Sequence, residues 1–156
     1  MVQPQAKHLV VGTHGRSLYI ADIANLQQLT PSLLAKQAHI FKIDDVRKSS
    51  FWGRSRANWA TAYTPEMNIP FYVNADKKVT LDVYSGDVKV NSFSVAADKG
   101  MNDFSFDISF SKSGLKAYEK ANKDAKIEAA GNGVYYLPKG KYTVKIEEAT
   151  SEFIIK

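Results

Sequence analysis

Alternation of apolar and polar residues is the strongest pattern along the chain. Phe104, Phe106, Ile108 and Phe110 are separated by Ser105, Asp107 and Ser109, the period-two spacing of a strand with one face in a core. Tyr142, Val144 and Ile146 repeat it against Thr143, Lys145 and Glu147, and Val79, Leu81 and Val83 do so again. Ser85-Gly86-Asp87 then supplies a turn into Val88-Lys89-Val90, which predicts a hairpin. In its second strand the apolar phase slips between Val90 and Phe93; because successive side chains point to opposite faces, a slip of one residue predicts a β-bulge. Asp98-Lys99-Gly100 and Pro138-Lys139-Gly140 mark further turns. Short strands at this spacing predict an antiparallel sandwich.

One stretch departs from that pattern. Residues 113–129 are rich in helix formers, place Leu115, Tyr118, Ala121 and Ala125 on one face, and are followed by Gly131, where a helix would stop. They predict one amphipathic helix inserted between two strands, covering an edge or end of the sandwich; the alternative is a helix that binds a partner. Toward the start, Leu9-Val10-Val11-Gly12 and Leu18-Tyr19-Ile20 read as two strands joined by Thr13-His14-Gly15-Arg16-Ser17. Residues 23–37 then have room for one or two short helices, with Pro31 placed for a first turn behind Thr30. His39-Ile40-Phe41-Lys42-Ile43 has the composition of another strand, and residues 48–58 read as a loop.

The 156 residues suffice for one domain with an appendage, and a chain this long buries about 70% of its unfolded surface without a staple. There are no cysteines, so disulfides, thiolate metal sites and cysteine nucleophiles are excluded together. The apolar runs are far shorter than a membrane helix needs, and no membrane partner is expected. The first five residues lack a charged head and an apolar stretch, so no secretory signal is expected, as in a mature form or a fragment.

Candidate chemistry is sparse. His8, His14 and His39 include no pair at helical metal-ligand spacing, and no metal or other cofactor is expected. His14, between glycines and beside Arg16, is the histidine of interest, set against the simpler reading that a turn histidine caps backbone groups. There is no Gly-x-Ser-x-Gly elbow, and Gly12-Thr13-His14-Gly15 is too short for a phosphate loop and lacks its lysine. The neighbours Asp44-Asp45 and Glu147-Glu148 point to opposite faces if they lie on strands, so neither pair is an obvious acid/base dyad. No catalytic residue is assigned.

Charge is unevenly placed. Residues 36–63 hold six basic side chains (Lys36, Lys42, Arg47, Lys48, Arg54, Arg56) and two acids, a balance of +4 out of the chain's +5. Phe51, Trp52, Trp59 and Tyr63 are interleaved with them. Arginine beside exposed aromatics can hold single-stranded nucleic acid by phosphate pairing and stacking. The same residues suit a protein interface, which is the reading preferred here for Trp52, Arg54, Arg56 and Trp59.

The segment from His8 to Ile23, with Val11-Gly12-Thr13-His14-Gly15-Arg16-Ser17 at its centre, resembles the closing stretch of the last blade in the BNR-repeat, sortilin-like bacterial propeller proteins often labelled glycosyl hydrolases. His14, Gly15 and Arg16 form the blade-end motif. Further on the likeness is one of layout: Asn68-Ile69-Pro70-Phe71-Tyr72-Val73, a hairpin, Gly100-Met101-Asn102 before Phe106-Asp107-Ile108, and Pro138-Lys139-Gly140-Lys141-Tyr142 near the end. That order is similar to the immunoglobulin-like modules that follow such propellers, with Phe106 where they carry tryptophan and Lys139 inserted between proline and glycine.

The resemblance implies a mainly β protein. A hairpin remnant of a blade and a short helix are expected over residues 1–37, a linker over 38–66 and an immunoglobulin-like sandwich over 67–156. It implies a non-catalytic accessory module that packs against, or presents ligand to, the propeller of a larger parent protein, with a periplasmic or extracellular location. Away from that propeller, residues 36–63 are expected to leave an apolar patch that favours self-association. Two alternatives stand beside it: a fragment of a glycoside hydrolase whose active site lies in the propeller, and a free-standing module for carbohydrate or nucleic acid, with nucleic acid the less favoured ligand. The family's Ser-x-Asp-x-Gly-x-Thr-Trp box occurs nowhere in the chain, and the site residues of a sialidase have no matching positions.

Overall fold

A computed structural model describes residues 1–156 except Met1, Pro4, Ala6, Arg16, Asn58 and Asp124, and leaves the side chain of Gln3 undescribed. The chain divides into two compact units, Met1–Lys36 and Gln37–Lys156.

The first unit is a three-stranded antiparallel sheet in the order β1(Val2–Gln3), β2(His8–Gly12), β3(Leu18–Asp22). The expected turn between β2 and β3 is closed by Thr13, whose amide and hydroxyl both donate to the Ser17 carbonyl. A single 3-10 turn (Leu26–Gln28) and α1(Pro31–Leu34) follow. Thr30 caps α1 by accepting from the Leu33 amide, and Pro31 occupies the first turn, where a missing N–H costs nothing.

The second unit is sandwich-like, with two antiparallel sheets sharing one core. One sheet runs β4(Ala38–Ile40), β5(Met67–Val73), β8(Gly100–Phe106). The other runs β10(Ala149–Ile155), β9(Gly140–Ile146), β6(Lys77–Ser85), β7(Val88–Ala97). Ile69, Phe71, Val73 and Phe106 of the first meet Val79, Leu81, Val83, Val144, Ile146 and Phe153 of the second in that core. The expected bulge is present. Val83 faces Asn91 and Tyr84 faces Lys89, leaving Val90 as the extra residue, so Val90 and Asn91 are both buried.

Two expectations are corrected. The alternation of Phe104 to Phe110 does not extend one strand through its length: β8 ends at Phe106, and Ile108 takes a left-handed φ of 57°. The Asp107 carboxylate accepts from both the amide and the hydroxyl of Ser109, fixing a turn there, while Ile108 stays fully buried. The helix is α2(Lys112–Ala121), shorter than residues 113–129. Asn122 ends it by folding its side-chain amide onto the Tyr118 carbonyl, nine residues before the glycine that marked its expected end.

α2 starts where the bulge allows. The Val90 carbonyl accepts from the Ser111 amide and hydroxyl, and the Ser111 hydroxyl in turn caps Gly114. A Cβ on Gly114 would collide with the Val90 backbone, so this helical glycine is required for close approach. Leu115 and Tyr118 pack on the core, with Tyr118 5.2 Å from the Phe110 ring.

Two substitutions check this account by denaturant melts. Phe106→Ala removes a fully buried ring 5.5 Å from Phe93 and should cost about 3–5 kcal/mol. Gly114→Ala, neutral or favourable in an isolated helix, should cost about 1–3 kcal/mol here by overpacking against Val90.

Candidate functional site

The basic aromatic segment is docked on the second unit. After β4, the Phe41 amide donates to Pro70 and its carbonyl accepts from Ser151, and Phe41 and Ile43 are buried. The chain then runs along β10: Val46 donates to Ile154 and Lys48 to Lys156, while Lys156 donates back to Val46. Asp45 accepts from the Ile154 amide at 3.0 Å and pairs with Lys156 at 2.8 Å, and the ammonium, followed by that amide, holds its carboxyl below the usual range.

Residues 49–54 turn inward. Ser49 accepts the Phe51 amide on its hydroxyl and the Trp52 amide on its carbonyl. Trp52 is 6% exposed, its ring 5.8 Å from that of Tyr136 in an edge-on arrangement. Gly53 has φ +73°, and a Cβ there would run into Ala130 and Asn132. The two loops therefore touch backbone to side chain. The facing loop is itself tied: Ala130 donates to Val134, Gly133 to Ala130, and the Asn132 side chain accepts from Val134 and donates to the Tyr136 hydroxyl.

Beside this contact lies an open cavity of about 490 Å³. Trp52 and Tyr136 line it together with Lys48, Arg54, Lys126, Ser49, Ser50 and Glu128. The Lys48 side chain donates to the Leu137 carbonyl at 3.3 Å. Burial of its ammonium pushes its pKa below the usual lysine range, and Lys139 adds to the shift.

The structure divides the four residues grouped by composition, bringing Trp52 and Arg54 to one cavity and leaving Arg56 and Trp59 outside it. Trp52 is in the core, Arg54 lines the cavity, the Arg56 guanidinium lies 5.7 Å from the centre of the Phe51 ring, and Trp59 is 90% exposed. Tyr63 is exposed as well, its ring 6.2 Å from Phe51. In the first unit His14 and Gly15 are exposed in their turn, and Arg16 lies outside the described residues. Of the carboxylate pairs, Asp45 is engaged as above and Glu147 binds Lys77 at 2.8 Å. Sequence reasoning missed Lys126, Glu128 and Tyr136 as neighbours of Arg54. The first two were expected on a helix, and no local pattern joins residues 48–54 to 126–138.

Among the described residues no three His, Asp or Glu side chains cluster as metal ligands, and no helix is long and apolar enough to cross a membrane. No family matches the chain, and neither a curated protein nor a solved structure was found to be similar to it.

The loop contact is tested at Gly53. Gly53→Ala places a side chain at a left-handed position and against Ala130, and should lower stability by about 1–3 kcal/mol. In a Trp59→Phe background the emission of Trp52 should shift to the red as the two loops part; an unshifted spectrum would show that the contact does not bury the indole.

Proposed function

We propose that the chain is a non-catalytic accessory module of a larger propeller protein, its first unit belonging to a blade and its second an immunoglobulin-like sandwich. One observation carries the first part: the sheet β1-β2-β3 exposes large apolar side chains on both faces. By register, Val2, Leu9, Val11, Tyr19 and Ala21 share one face, while Val10, Leu18 and Ile20 share the other, with the His8 and Asp22 pair at its end. Leu18 is 66% exposed, and Tyr19 and Ile20 are each 62% exposed. A sheet on the surface of a monomer puts polar residues on its outer face. A sheet with large apolar side chains on both needs a layer on each side, as a propeller blade has between its neighbours.

Two features support the finer reading of the second unit. Its seven strands divide as β4-β5-β8 and β10-β9-β6-β7, with the chain crossing between sheets from β7 to β8. Tyr142, near the start of the sixth of these strands, donates its hydroxyl to the Pro138 carbonyl at 2.8 Å, the corner contact that such sandwiches carry. Burial of the ring pushes the phenol pKa up, so the donor stays protonated.

Hydrogen exchange on the dilute, monomeric chain tests the reading. A small sheet without its covering layers is marginal, so the amides of β2 and β3 should exchange rapidly while those of β6 and β9 are protected. Equal protection would overturn the blade assignment. No aryl glycoside should be hydrolysed; turnover lost on mutating one carboxylate would favour the hydrolase-fragment alternative.

A second reading, a binding module for carbohydrate or nucleic acid, draws on the exposed Trp59 and on Arg56 over Phe51. For nucleic acid it demands a log–log salt slope of ~0.7 per phosphate contact on single strands. A labelled oligonucleotide should bind weakly and indifferently to Arg56→Ala/Trp59→Ala; micromolar binding with a slope of about 2 or more, lost in that variant, would displace the accessory-module reading.

A further inference from the structure

We propose that the cavity between residues 48–54 and 126–138 binds a small anionic sugar, its carboxylate or phosphate held by Lys48, Arg54 and Lys126 and its hydroxyls met by Ser49, Ser50 and Glu128. This inference rests on the second unit alone, and stands or falls independently of the propeller reading.

Charge is the first reason. Three cations line the cavity against one carboxylate, Glu128, and Lys139 adjoins Lys48. Among the described residues the ion pairs are made by Lys77, Lys89, Lys141 and Lys156, so none of the three cavity cations is neutralised that way. Lys48 gives one of its three ammonium protons to Leu137, which directs the group while leaving two donors for a ligand. A bound anion would also offset, by its opposite charge, the desolvation and like-charge repulsion that disfavour its charged form.

Shape is the second reason. A volume of about 490 Å³ is in the range of small-molecule sites and admits a monosaccharide with its charged substituent. Trp52 and Tyr136 back the cavity as buried rings that show only their edges, and the Ser49 and Ser50 hydroxyls with the Glu128 carboxylate are placed to meet ring hydroxyls. The walls are held before any ligand arrives, by the Gly53 contact with Ala130 and Asn132 and by the Asn132–Tyr136 hydrogen bond at 2.9 Å, which lowers the ordering cost of binding.

The chain has two tryptophans, so the Trp59→Phe variant of the 156-residue chain reports on Trp52 alone. Its emission is followed while glucose 6-phosphate, glucuronate, inorganic phosphate or glucose is added. One or both of the charged sugars should give a saturable change, and the tighter of the two identifies the anion. Inorganic phosphate should bind several-fold more weakly, and glucose should have no effect in the same range. Arg54→Gln/Lys126→Gln, exposed positions that leave the fold intact, should weaken the charged sugar by about tenfold or more with an unchanged melt. No saturable change with either charged sugar up to roughly 10 mM would overturn the proposal. So would glucose acting like the charged sugars, inorganic phosphate binding as tightly, or a double variant with undiminished affinity.

Discussion

The second unit is organised around the carbonyl of Val90. A β-bulge takes this residue out of the ladder with β6 and frees its oxygen, which accepts from the Ser111 amide and hydroxyl. The same bulge turns Asn91 inward, where its side-chain amide donates to the Ser109 carbonyl at 2.8 Å. One irregularity in β7 thus satisfies the backbone on both sides of the turn that follows β8 and sets the N-terminus of α2 against the sheet. Only glycine at position 114 lets the helix approach so closely. A buried carbonyl left without these donors would cost the desolvation of a full hydrogen bond, which is why the bulge, the cap and the glycine belong together.

From that anchor the return path of the chain follows. α2 ends at Asn122, and the segment beyond it comes back to pair Phe110 with Tyr135 and Leu137 with Ile108. These bonds fix Tyr136 in the core beside Trp52 and carry residues 126–138 up to the loop at 48–54. The cavity is therefore a product of two connections, one before β5 and one before β9, rather than of any strand. A loop-built site on a sheet scaffold is a common division of labour, the scaffold supplying rigidity and the loops the chemistry.

The two units contrast in how they bury apolar surface. In the second, the sheets cover each other, and the long edge of β10 is partly covered by the run through Val46. In the first, a three-stranded sheet leaves Leu18, Tyr19 and Ile20 exposed on two faces. The same alternation rule that reads β6 as half-buried would read β3 as buried on both sides. The difference lies in what stands next to each strand.

Much of the second unit was legible residue by residue. Period-two runs located β6, β8 and β9, the slip after Val90 located the bulge, and in the first unit Thr30-Pro31 located α1, because each depends on neighbours within a few positions. The left-handed Ile108 and the early end of α2 were not legible, since a buried pocket and a folded-back Asn122 amide overrode patterns that pointed to a longer strand and a longer helix. Trp52 and Trp59 look alike in a basic aromatic segment, yet one lies in the core and the other is 90% exposed. The sequence by itself determined the local geometry of strands, turns and caps, which short-range sterics and hydrogen bonding dictate. Only the tertiary structure decided which aromatic was buried and which cations met around a cavity, because those depend on contacts between residues some eighty positions apart, and no periodicity records them.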